Sequence, residues 1–158
     1  METKKILAAT VVGTSVMTLF SYLMSRNQKK NFTEPDMLSE ILAENTTDLS
    51  KEEAKPIGWS AHYGVGLGFV GVYSQVWEHT PIKPSLASGA ALGAASGLIG
   101  ILGWSQMFHL HHPTSSKYRQ QYYAQLLAAH ILFGMGAAVG YKMMSKDKHK
   151  ISTKKLFV

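Results

Sequence analysis

Four stretches of this chain hold no Asp, Glu, Lys or Arg: residues 6–25, 56–77, 84–116 and 120–141. Each contains a mostly apolar run close to the ~20 residues that cross ~30 Å of hydrocarbon at ~1.5 Å rise per residue. Charge segregated on this scale points to the bilayer as solvent. The pattern predicts an all-α, integral membrane four-helix bundle: a single membrane domain over 1–158 with transmembrane helices at about 5–25, 57–78, 85–108 and 121–143. The mean hydropathy of −0.02 is then a dilution effect. A polar loop, 26–56, and a basic tail, 144–158, offset the apolar spans.

Lys4 and Lys5 before an apolar run imitate a secretory signal. The run is too long for one, and Tyr22-Leu23-Met24-Ser25-Arg26 follows it rather than a small-residue cleavage site. It reads as a retained first helix. The absence of cysteine excludes disulfides, thiolate metal sites and haem attached through Cys.

Seven of the ten acidic residues lie between Glu34 and Glu53. Thr33-Glu34-Pro35-Asp36 reads as a helix start, with a hydroxyl N-cap, Pro in the first turn and acids at the positive end of the dipole. Met37, Leu38, Ile41 and Leu42 supply one apolar face, so a short amphipathic helix is expected at 34–44. Ser50-Lys51-Glu52-Glu53 is a second capping-box match, expected to be cut short by Pro56. Asn45-Thr46-Thr47 fits a glycosylation acceptor, a pattern common by chance.

Trp59 and Trp77 stand ~27 Å apart along a helix, as do Tyr123 and Tyr141, which suits the aromatic belts at the two interfaces. The tail 142–158 holds six Lys and one Asp. Lysine-rich flanks face the cytoplasm, so both termini are expected there and the acidic loop outside, although Arg26, Lys29 and Lys30 pull the other way. The expected setting is a bacterial inner membrane.

A partial repeat runs through the spans. Ala61-His62-Tyr63-Gly64-Val65-Gly66 through Tyr73 aligns without gaps with Ala129-His130-Ile131-Leu132-Phe133-Gly134 through Tyr141. It suggests two helical hairpins related as a parallel repeat, with an axis along the membrane normal. His62, Gly66, Phe69 and Tyr73 share one helix face, as do His130, Gly134, Ala137 and Tyr141. The second and fourth spans run in one direction, which puts both histidines at one depth. His62, His130, Gly66, Gly134, Tyr73 and Tyr141 are therefore the candidate intramembrane site.

Several chemistries fit it. Each His can simply bond a backbone carbonyl or a hydroxyl on a neighbour, for example Thr14 or Ser96. Two imidazoles on facing helices can ligate haem b, with Gly66 and Gly134 leaving room for the macrocycle. His109, His111 and His112, arriving at the same membrane face with His62 or His130, can form a transition-metal site. An intramembrane His can also relay protons or contact a substrate.

The remaining glycines suit close helix packing: Gly64 and Gly68, Gly89, Gly93 and Gly97, and Gly136 and Gly140. No paired intramembrane carboxylate, activated nucleophile, phosphate-binding loop or basic-aromatic nucleic-acid surface is visible. Glu78, the one acid touching a span, reads as a helix-end residue. A structural or interaction role, or a stress-related one, is expected rather than an enzyme; a haem or metal protein and a small transporter or proton-linked channel are the alternatives. The expected partners are the lipid bilayer and a second copy or another membrane protein, with no nucleic acid.

The layout resembles the uncharacterised bacterial inner-membrane proteins of the YagU type. The likeness lies in a first helix and long polar segment, then His62, Gly71 and Tyr73 on one helix. Gly89, Gly93, Gly97, His112 and Pro113 follow on the next, and His130 lies early on the last. It covers residues 5–143 and implies a topology, with no mechanism attached.

Overall fold

The computed structural model describes residues 2–46, 48–110 and 115–155, with side chains to Ser145. The described residues form five helices and no strand: α1 (Glu2–Gln28), α2 (Glu34–Asn45), α3 (Lys51–His79), α4 (Leu86–Leu110) and α5 (Ser116–Lys155). Three of the described helices are long and apolar enough to cross a membrane, Glu2–Gln28, Leu86–Leu110 and Ser116–Ser145. The chain thus has the character of a membrane protein, with three such spans rather than the four expected. Helix α3 is long enough, but its apolar segment is diluted by Gly58, Ser60, His62, Tyr63, Gly64, Gly66, Gly68 and Gly71, which add length with little hydropathy.

Two boundaries differ from expectation for local reasons. The Ser50–Glu53 capping box is formed on both sides: Ser50 Oγ accepts from the Glu53 amide and Glu53 Oε2 accepts from the Ser50 amide at 3.0 Å. The Ser50 hydroxyl, which donates to Glu53 Oε2 at 2.7 Å, and then the Ser50 amide hold the exposed Glu53 carboxyl below its usual range. The helix then continues through Pro56 instead of stopping there. In the second turn, proline forfeits only the one amide bond that would reach the Glu52 carbonyl. At the other end, α5 runs on through the basic segment to Lys155, where lysines favour the negative end of the helix dipole.

Helix α5 is the spine. Helices α1 and α4 pack along it, α3 packs on α1, and α2 packs on α3. Glycines set the separations. A Cβ on Gly89 or Gly93 would strike the backbone of Gly134 or His130 across the α4–α5 seam. On the α1–α5 seam, a Cβ on Gly136 would lie 3.2 Å from Gly13 Cα, and one on Gly140 would lie 2.8 Å from Ala8 O. Gly97 meets Leu127 and His130 in the same way. Gly64 and Gly68 do not take part, since a Cβ on either would meet nothing within 4 Å. Their strip of α3 faces away from the chain, so the packing expected of them is not made within it.

The two seams that an exact repeat would make alike are unlike. Helices α1 and α5 pack closely along their length, whereas α3 and α4 meet chiefly where the Tyr73 hydroxyl lies 2.6 Å from Ser96 Oγ and 3.1 Å from the Leu92 carbonyl. Beyond that latch, toward α2, they part. At the other end, Lys5 and Tyr141 both donate to Glu78 Oε1 at 2.7 Å. Trp77 and Tyr141 are buried there with rings 5.0 Å apart, so these two residues point inward rather than forming an interfacial belt.

Candidate functional site

The parting of α3 and α4 leaves a cavity of about 390 Å³. Helix α3 contributes His62, Val65, Gly66 and Phe69. Helix α4 contributes Ile99, Gly100, Gly103, Trp104 and Met107. Thr14 and Met17 come from α1, His130 and Phe133 from α5, and Glu34 and Leu38 from α2. Val65 and Ile99, on either side of the parting, are 56% and 59% exposed. The mouth therefore lies between α3 and α4, on the flank of the bundle. The walls are largely hydrocarbon and aromatic, with Thr14, Glu34 and the two imidazoles as polar points.

The antiparallel runs of α1 against α3 and of α4 against α5 bring the histidines there. His62 Nε2 lies 3.1 Å from Thr18 Oγ1, and that hydroxyl already donates to the Thr14 carbonyl at 2.8 Å. With its proton committed, Thr18 must accept from His62, which fixes Nε2–H as donor and leaves Nδ1 the lone pair of the neutral ring. His130 is set the opposite way. Its Nδ1 donates to the Leu126 carbonyl at 2.9 Å, so Nε2 keeps the lone pair, and a Cβ on Gly100 would lie 3.2 Å from it. Phe69 meets the His130 ring edge-on, with centroids 6.1 Å apart. Both histidines thus bond a carbonyl or hydroxyl in or beside their own span, with Thr18 in the place where Thr14 or Ser96 was expected.

Glu34 is the residue that the sequence reading misplaced. It opens α2 as expected, but it is 2% exposed, turned into the bundle and part of the cavity lining. Ser21 Oγ donates to Glu34 Oε1 at 3.1 Å and in turn accepts from Gln125 Nε2 at 2.7 Å. Among the described residues, Oε2 has no hydrogen-bond partner, and neither has Thr14 Oγ1. Burial pushes the Glu34 carboxyl up to about 7, against its own backbone amide, Ser21 and Gln125, which pull it down. Glu78 is therefore not the one acid against the spans.

A signal for this was present. Glu34 precedes Met37, Leu38 and Ile41 by three, four and seven residues, which places its carboxyl on the apolar stripe of α2. The docking of that stripe is close: Gly58 of α3 sits against Pro35 O and Ser39, and Phe32 is buried against Tyr118 and Tyr122 of α5.

The other candidates fall elsewhere. Gly66 lines the cavity against Thr14, but Gly134 is closed off against Gly89 one turn further along the α4–α5 seam. Tyr73 forms the latch to α4, and Tyr141 bonds Glu78 at the opposite end. These three do not join the histidines, because each lies further along its helix, where contacts with a neighbouring helix occupy it. His109 is exposed. The proposed metal ligands His111 and His112 lie outside the described residues, among which no three His, Cys, Asp or Glu side chains are grouped to hold a metal ion. Comparison of the chain with known protein families, curated proteins and solved structures finds no match.

Proposed function

We propose that this is a four-span membrane protein whose cavity holds a lipid-soluble ligand entering sideways from the bilayer. The reading is one of binding or carriage, without chemistry on the ligand. The observation that carries it is the combination of a cavity of about 390 Å³ with a mouth between the exposed Val65 and Ile99 on the flank of the bundle. Small-molecule sites run from about 300 to 1,000 Å³, with mostly apolar walls and a few converging polar groups. The wall of this cavity has that character, and Thr14 Oγ1, Glu34 Oε2 and His130 Nε2 are the groups available to a ligand. Helix α3 forms the fourth span in this reading: its cavity face meets the ligand, and Leu67 and Val72 face lipid. Lys4, Lys5, Lys83, Lys142 and the tail lysines share one end, which favours that end, with both termini, as cytoplasmic in a bacterial inner membrane.

Trp104 in the cavity wall supplies the test. In a Trp59→Phe, Trp77→Phe background it is the sole tryptophan. A brominated long-chain alcohol added to nanodiscs should then quench its fluorescence saturably, on top of the linear quenching from the surrounding bilayer. Gly100→Leu, which puts a side chain into the cavity beside His130, should remove the saturable part. Purely linear quenching, alike in both proteins, would refute a binding cavity.

A further inference from the structure

The polar points of the cavity are unequal. Thr14 and the histidines offer neutral hydrogen bonds, whereas Glu34 is the one acid in the lining. Around Glu34, α1 presents Ser21 and α5 presents Gln125 and Tyr122, while Lys30, just after α1, is committed to Gln121 and the Tyr118 ring of α5. Helices α3 and α5 present the imidazoles of His62 and His130 across the cavity, and α4 presents only Ile99, Gly100, Gly103, Trp104 and Met107. The one ion pair among the described residues, Lys5–Glu78, is at the opposite end. A carboxyl buried without a cation is strongly disfavoured as the anion, and among the described residues Oε2 accepts no well-formed hydrogen bond. The same wall carries Phe69, Trp104 and Phe133, whose ring faces attract positive charge when water is excluded.

Resting on the cavity reading above, we propose that the ligand is a lipophilic monocation, taken from the bilayer in exchange for the Glu34 proton. Its charge lies against Glu34, and its apolar body fills the space between Phe69, Trp104 and Phe133. The exchange balances simply: the carboxyl O–H bond breaks, the proton leaves to water, and the carboxylate pairs with the incoming cation. Binding and protonation then compete for one oxygen pair. Affinity falls about tenfold for each pH unit below the Glu34 transition and levels off above it. Glu34 titrates near neutral pH, so the exchange operates in the physiological range.

Tetraphenylphosphonium is a suitable probe, measured by equilibrium dialysis against the full chain in nanodiscs of neutral lipid. The expected result is saturable binding that weakens about tenfold between about pH 6 and about pH 5. It should be accompanied by proton release in weakly buffered solution. Glu34→Gln should lose both signals, while Glu34→Asp should keep a pH-dependent affinity. Binding that is unchanged in Glu34→Gln, or flat with pH in the unmodified chain, would overturn the inference. Saturable quenching by the neutral brominated alcohol without phosphonium binding would overturn the cation and leave the cavity reading standing; loss of both would remove both.

Discussion

Ionising Glu34 should loosen the whole fold, and the size of the effect can be worked out. Its carboxyl titrates at about 7 in the folded chain, against an ordinary value of 4.5, because burial penalises the anion. Below the ordinary value both folded and unfolded chains carry the proton, and the stabilising contribution is complete. As pH rises, the unfolded chain releases its proton first. Stability then falls with pH through the window from 4.5 to about 7. At about 1.4 kcal/mol per tenfold change in proton affinity, the loss is about 3 kcal/mol. For a chain of this size, that is a fall in Tm of roughly 6–12 °C.

Thermal unfolding in a mild detergent, followed by far-UV circular dichroism from about pH 5 to about pH 8, reads this directly. Glu34→Gln keeps a side chain that can accept from Ser21 but cannot ionise. Its profile should be flat over the window, and it should be the more stable protein at the alkaline end. If the Tm of the unmodified chain does not fall across the window, or Glu34→Gln follows the same curve, the buried position of this carboxyl is refuted.

Four further outcomes follow. Gly134→Leu should part α4 from α5, since its side chain meets the backbone of Gly89 and Gly93; a loss of about 3 kcal/mol or more in a denaturant titration is expected, above the usual overpacking cost because backbone cannot yield. Gly68→Leu, with nothing within 4 Å, should leave monomer stability within about 0.5 kcal/mol, and a larger fall would mean that the α3 glycine strip is packed. Tyr73→Phe removes the latch to Ser96 and Leu92 and should cost about 1 kcal/mol while widening the mouth, seen as faster quenching of Trp104. Lys5→Ala should cost less than about 1 kcal/mol, because the Lys5–Glu78 pair is partly exposed and Tyr141 still donates to the same oxygen.

How far the sequence could be read depended on whether a feature had one physical cause or two. His62 and His130 stand out because an ionisable ring is costly in a charge-free span, and both do line one cavity. Gly89, Gly93 and Gly97 on one face of α4 lie so near α5 that a Cβ on any of them would collide with it. Glu34 had two valid local readings. An acid in the first turn is favourable to the dipole, and the same residue lies on the apolar stripe; only the docking of α2 chooses between them. Pro56 likewise signals both a helix break and a tolerated early turn, and the capping box at Ser50 decides for the latter. Pairing Gly134 with His130 failed although both face α4: one turn beyond His130 the α4–α5 seam is closed by the Gly89 and Gly93 backbone, a matter of packing that periodicity does not encode. The absence of close packing between α3 and α4, on which the cavity depends, has no sequence signature.

Native mass spectrometry of the protein released from nanodiscs shows whether the cavity between α3 and α4 holds a lipid-soluble molecule. The unmodified chain should carry added mass that organic extraction recovers as a small apolar or amphiphilic compound, and Gly100→Leu, though folded, should not retain it. A chain that flies at its bare sequence mass, or retains the same adduct with the cavity filled, would mean that the cavity holds no such molecule.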